Sequence, residues 1–180
     1  MRVTYLVGLA TVIASACHPG PAPRRVEVQT DWAAAACDTP LAPTFRRAAG
    51  GLNPATRDSL LRDLERRRAT WQTRHLTTYR LRVVETCFCP LAPPGVVEVR
   101  DGIVVAAFDT AGRSAPALVS RLSSYTVEGL FNAIERTLRS GELLEVSYDP
   151  CLGFPTALRG NMRMVDSWFQ IAAGPLTRPR

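Results

Sequence analysis

From Tyr79 onward the chain changes period. The stretch YRLRVVETCFC places Leu81, Val83, Glu85, Cys87 and Cys89 on one side and Arg80, Arg82, Val84, Thr86 and Phe88 on the other, the two-residue repeat of a β-strand. After the loop PLAPPG, the run VVEVRDGIVVAAF reads as two further strands around Asp101-Gly102, a strong short-range signal for a two-residue hairpin. Strands joined so closely pair with their chain neighbours, so these three form an antiparallel meander. Because the strands come as hairpins and do not alternate singly with helices, the chain is directed to an α+β fold and away from a parallel sheet.

Helical signals bracket the meander. Asn53 is a good N-cap, Pro54 suits the first helical position, and Leu60, Leu64, Arg68, Trp71 and His75 recur at helical spacing. Leu60, Leu64 and Trp71 are expected to face the core, His75 to close the helix, and the run Arg66, Arg67, Arg68 to form a solvated face. A second helix is expected from Thr126, with an apolar stripe of Val127, Leu130, Phe131, Ile134 and Leu138 and a stop at Gly141. ELLEVSYDP then alternates with Leu144, Val146 and Tyr148 on one face, and a last hairpin is expected around Gly160-Asn161, with Trp168 and Phe169 reaching the core. The expected architecture is an antiparallel sheet of five to six strands with two main helices on one face. It occupies residues 53–174, followed by a frayed tail at 175–180.

The N-terminal third is different in kind. Val3 to Ala16 is apolar but shorter than the roughly 20 residues of a membrane-spanning helix, so residues 1–16 read as a signal peptide. Ala14, Ser15 and Ala16 precede Cys17 in the manner of a bacterial lipobox, with Ala14 where Leu is usual. Cys17 is therefore the expected lipid attachment site, the bland alternative being an ordinary secretory signal cleaved near Ala16. Residues 17–52, rich in Pro, Ala and Gly, read as a tether. The protein is thus expected to be exported to the cell envelope, with the membrane as a partner through its lipid and an unknown envelope protein or ligand as another. The formal charge is +6, carried by 22 arginines with no lysine. Basic chains can bind nucleic acid, but no aromatic-interleaved basic strand or recognition helix is present, and nucleic acid is excluded as the expected partner.

The Trp-containing helix running into YRLRV, the CFCP stretch, the VEVRDGIVV hairpin, YTVEGLFNAIE and VSYDPCLGFPTALRG together resemble a bacterial family known as domain of unknown function 6174, over roughly Trp71 to Trp168. The resemblance implies a short exported protein, often a lipoprotein, with no assigned activity and hence no catalytic residues to carry over. Cys37 and Cys151 are additional to that pattern.

With Cys17 reserved for lipid, Cys37, Cys87, Cys89 and Cys151 remain as disulfide candidates in an exported chain. Since Cys37 and Cys151 are both additions to the resembled pattern, Cys37–Cys151 with Cys87–Cys89 is favoured. The competing arrangement joins Cys151 to Cys87 or Cys89 and Cys37 to the other. Two chemical readings compete with the structural one: exchange of electrons by a strained Cys87–Cys89 bridge, or metal binding by Cys87, Cys89, His75 and Cys151. Thiol redox sites usually open a helix, and this pair ends a strand. No phosphate loop, nucleophile elbow or zinc-protease helix occurs, His18 lies in the tether, and Asp101, Asp109, Asp149 and Asp166 fall at turns or beside loops. No catalytic residue, cofactor or metal is assigned. The reading is a non-enzymatic binding or structural module, with thiol-redox or metal handling as its alternative.

Overall fold

The computed structural model describes residues 45–46, 52–87, 94–161 and 168–179. The expected α+β fold is present. Seven strands form one antiparallel sheet: β1 (Phe45–Arg46), β2 (Thr78–Cys87), β3 (Gly95–Arg100), β4 (Ile103–Asp109), β5 (Leu143–Tyr148), β6 (Pro155–Asn161) and β7 (Trp168–Thr177). Their spatial order is β1-β5-β6-β7-β2-β3-β4. The meander β2-β3-β4 occupies one half. The C-terminal strands form the other, and β7 joins the two by pairing with β6 on one side and β2 on the other. The two-residue β1 lies within the segment read as a tether and pairs with β5.

Helix α1 (Pro54–Gln72) begins where its cap signal lies, with Asn53 Oδ1 accepting from the Thr56 backbone N–H at 2.8 Å. A short helix, α2 (Ala117–Arg121), follows β4, and α3 (Val127–Arg139) follows the Thr126 cap. The helices cover one face of the sheet. There Tyr79, Leu81, Val83, Val97, Val99, Leu158 and Ile171 pack against Leu64, Trp71, Leu130, Phe131, Ile134 and Leu138. Trp71 makes edge contacts with Tyr79 and Phe154 at the seam between α1 and the sheet. The Asp101-Gly102 hairpin also forms as read, both residues having positive φ (50° and 77°), which a type I′ turn requires.

Five local expectations are corrected. The arginine run is not a solvated face. Arg67 is buried, bonded to Asp63 at 2.8 Å and stacked on the Tyr148 ring, while Arg68 reaches across to Asn132 and Glu135 of α3. An arginine stem covers apolar surface and carries its charge to a partner, which no periodicity reveals. His75 lies beyond the helix in an exposed turn with φ 51°. In β5, Val146 is buried and Tyr148 packs against the core, but register shifts bring Leu143 into the core as well, a residue the two-residue period places on the other face, while the side chain of Leu144 lies outside the described residues. Gly160-Asn161 is no turn: Gly160 pairs with Phe169 and Asn161 with Trp168. A Cβ on Gly160 would lie 2.5 Å from the Phe169 ring, so the glycine serves close approach. Finally, the tail expected to fray from residue 175 continues β7, with Leu176 and Thr177 buried and paired with Leu81 and Arg80.

Candidate functional site

Between α3 and the strands β2 and β7 lies a cleft of about 430 Å³, within the size range of small-molecule sites. Its wall is the face of α3 that carries Gly129, Leu130, Ala133, Arg136 and Thr137, extended at either end by Ser124 and Tyr125 and by Ser140 and Glu142. Its floor is Glu85 from β2 with Phe169 and Ile171 from β7.

The placement of α3 creates this space. The first backbone N–H groups of a helix have no intrahelical partner, and here two side chains supply one. Thr126 Oγ1 accepts from the Gly129 N–H at 3.0 Å, and the Tyr79 hydroxyl accepts from the Val127 N–H at 2.9 Å. Trp71 Nε1 donates to Glu128 at 2.7 Å, tying the same helical turn to α1. Burial, countered in part by the bond from Val127 and reinforced by the nearby Glu128, pushes the Tyr79 hydroxyl pKa well above its usual value. Tyr79→Phe keeps the ring and strands the Val127 N–H, so a loss of about 1–3 kcal/mol is expected. Urea denaturation checks it; an unchanged midpoint would show that this bond does not secure the helix.

Inside the cleft, Glu85 follows Leu81 and Val83 on the core-facing side of β2, where α3 no longer covers the sheet completely, and is half-buried. The buried Tyr125 lines the cleft beside it, near enough for the carboxylate to act on its hydroxyl. Burial first, then the neighbouring Glu85 carboxylate, raise the Tyr125 pKa, so the hydroxyl stays protonated. At the other end the Ser140 hydroxyl donates to Glu142 at 2.8 Å. Arg136 is exposed on the rim.

The residues singled out in the sequence are not gathered here. Cys17, Cys37, Cys89, His18 and Asp166 lie outside the described residues. Cys87 ends β2, in a row of the sheet that runs Cys87, Phe169, Gly160, Leu143. Cys151 lies beyond Tyr148 at the other end of β5, its carbonyl accepting from Arg74 at 3.1 Å. The five steps from Leu143 to Tyr148 alone span about 17 Å of strand, whereas a disulfide holds Cα atoms within about 7 Å. Cys87 and Cys151 are therefore not bonded to each other, and the metal set of Cys87, His75 and Cys151 is not assembled, since His75 precedes β2 and Cys87 ends it. Among the described residues no group of three His, Cys, Asp or Glu side chains converges on a metal position. Neither Cys87 nor Cys151 is without a partner. Asp149 serves its turn, accepting from the N–H groups of Cys151 and Leu152, as Asp109 does for Ala111 and Arg113.

Sequence reasoning assigned no role to Glu85, Tyr125 or Glu142. One signal was legible: Glu85 is the only charged member of the apolar side of its strand.

Fold and site together define a small α+β domain with a mixed polar and apolar cleft at its helix–sheet seam. The sequence matches the family of unknown function DUF6174 over residues 63–169, and the chain belongs to that family. No curated protein and no solved structure matches it.

Proposed function

We propose that this chain is a bacterial envelope lipoprotein, anchored through Cys17, whose domain is a non-enzymatic binding module. The observation that carries the binding reading is the cleft under α3. Its buried Tyr125 is held protonated beside Glu85, so the lining offers a ligand a donor and a charged acceptor side by side. A general acid or base works best with a pKa near the operating pH, and burial drives Tyr125 away from it. Export and anchoring rest on the apolar N-terminal run and on Cys17. No helix among the described residues is long and apolar enough to cross a membrane. Cys17→Ala is expected to shift the protein from the membrane fraction of its host to the soluble one; continued sedimentation with membranes would reject the lipid as the attachment.

Export into an oxidising compartment also accounts for the remaining cysteines, which this reading places in two structural disulfides. The sheet keeps Cys151 away from Cys87. Cys89 is two residues from Cys87 in the chain, a reach of no more than about 7 Å, which favours Cys87 over Cys151 as its partner. This supports Cys37–Cys151, stapling the N-terminal segment to the turn after β5, and Cys87–Cys89. A peptide map of protein alkylated before and after reduction is expected to recover those two pairs. Immediate alkylation of Cys87 and Cys89 without reductant would favour thiol chemistry instead.

A further inference from the structure

We propose that the cleft under α3 takes a small organic ammonium compound with an apolar body. The inference rests on the binding-module reading and names the ligand class for that site. The chain as a whole carries a formal charge of +6, yet among the described residues the charged lining of the cleft is two carboxylates, Glu85 and Glu142, and one guanidinium, that of Arg136. Of these, Arg136 is exposed on the rim, and the two carboxylates are half-buried.

Three ligand types can be compared at Glu85. An ionised carboxylate accepts at about four lone-pair positions and donates at none. The Tyr125 hydroxyl beside it in the lining can fill one of them at most, so a ligand that displaces water must bring donors. A neutral apolar ligand would desolvate Glu85 without replacing its hydrogen bonds, which is costly for a charged group. An anion placed there would meet a like charge. An ammonium group supplies both the charge and the donors, and a charge-assisted bond is about twice as strong as a neutral one. The rest of the lining suits the body of such a molecule. Leu130 and Ile171 are apolar, and the Phe169 and Tyr125 rings offer faces or edges to a cation or its hydrocarbon.

The test uses the full chain in detergent micelles and three probes of one shape: phenethylammonium, 2-phenylethanol and 3-phenylpropionate. Binding is followed by the amide NMR shifts of Gly129, Ala133 and Ile171. Phenethylammonium is expected to bind about tenfold or more tightly than the other two. Glu85→Gln keeps an oxygen to accept from Tyr125 and is expected to abolish that preference. Ala133→Leu fills the cleft without touching charge and is expected to abolish binding of all three. Should the alcohol or the carboxylate bind the cleft as tightly as the ammonium, the ligand class is overturned and the binding module survives. If none of the probes shifts the cleft amides at about 10 mM, well above the millimolar range of weak fragments, the cleft is not a binding site, and the reading it rests on falls too.

Discussion

Gly129→Ala lowers the stability of this domain by about 2–3 kcal/mol, although a glycine-to-alanine change inside a helix ordinarily raises it by about 1 kcal/mol. Gly129 is the third residue of α3, so propensity alone favours alanine. The backbone just before the helix decides otherwise. A Cβ at this position would lie 1.9 Å from the Ser124 carbonyl oxygen and 3.2 Å from Thr126 Oγ1, the group that caps the helix. A flexible side chain could swing aside; a backbone carbonyl between α2 and the Thr126 cap cannot. Relief of the clash would pull the Thr126 cap apart and shift the wall of the cleft. Urea unfolding of the two proteins measures the difference directly, and a variant as stable as the parent would mean that Ser124 does not approach this closely.

The second large effect lies on the opposite face of the sheet. Glu98 on β3 is only 4 % exposed, yet it is held between two guanidinium forks. Arg80 Nε and Nη2 donate to one carboxylate oxygen at 2.9 and 2.8 Å, and Arg100 Nε and Nη2 donate to the other at 3.0 and 2.7 Å. Arg80 is itself buried, with its guanidinium over the Phe108 ring at 4.5 Å. Glu98→Ala would leave that charge buried without its counter-ion, and a loss of about 3–5 kcal/mol is expected, as for other broken buried pairs. Replacing Arg80 and Glu98 together by Met and Leu should restore most of it. Burial by itself would raise the Glu98 pKa, but the bonds from Arg80 and Arg100 outweigh it and hold the carboxyl below its usual value. A carboxyl depressed in the folded state contributes stability above its unfolded pKa and loses it as pH falls through the folded one. The gap between parent and Glu98→Ala, measured by denaturation, should therefore be full near neutral pH and shrink in acid below the ordinary glutamate range, about 4.3. A gap that stays constant into strong acid would sink the assignment of this stability to the ion pairs.

The elements that were legible in the sequence are those whose cause is local. Asn53 and Thr126 cap their helices because each side chain reaches a backbone N–H three residues on. Asp101-Gly102 turns because both residues tolerate positive φ. The stripe from Val127 to Leu138 and the alternation from Tyr79 to Val83 name their buried faces correctly because the helical and strand periods require nothing beyond themselves. The errors share a different cause. Gly160 resembles a turn residue until Phe169 is laid over it from the neighbouring strand. Arg67 resembles a surface residue until Tyr148 and Asp63 enclose it. The tail resembles a frayed end until β2 pairs with it.

The same boundary separates what was legible of the site from what was not. The sequence by itself determined the class of fold, the two long helices, the Asp101-Gly102 hairpin, the candidate cysteines and the odd position of Glu85 on an apolar strand face. The tertiary structure alone decided that β7 lies between β6 and β2, that Cys87 and Cys151 stand at opposite ends of the sheet, and that Tyr125, Glu85 and Phe169 meet beneath α3. Caps, turns and periods are settled over three or four residues by backbone geometry. Which distant strands pair, and what is left uncovered where a helix crosses them, depends on burying the whole apolar face at once, and that is a property of no single stretch of chain.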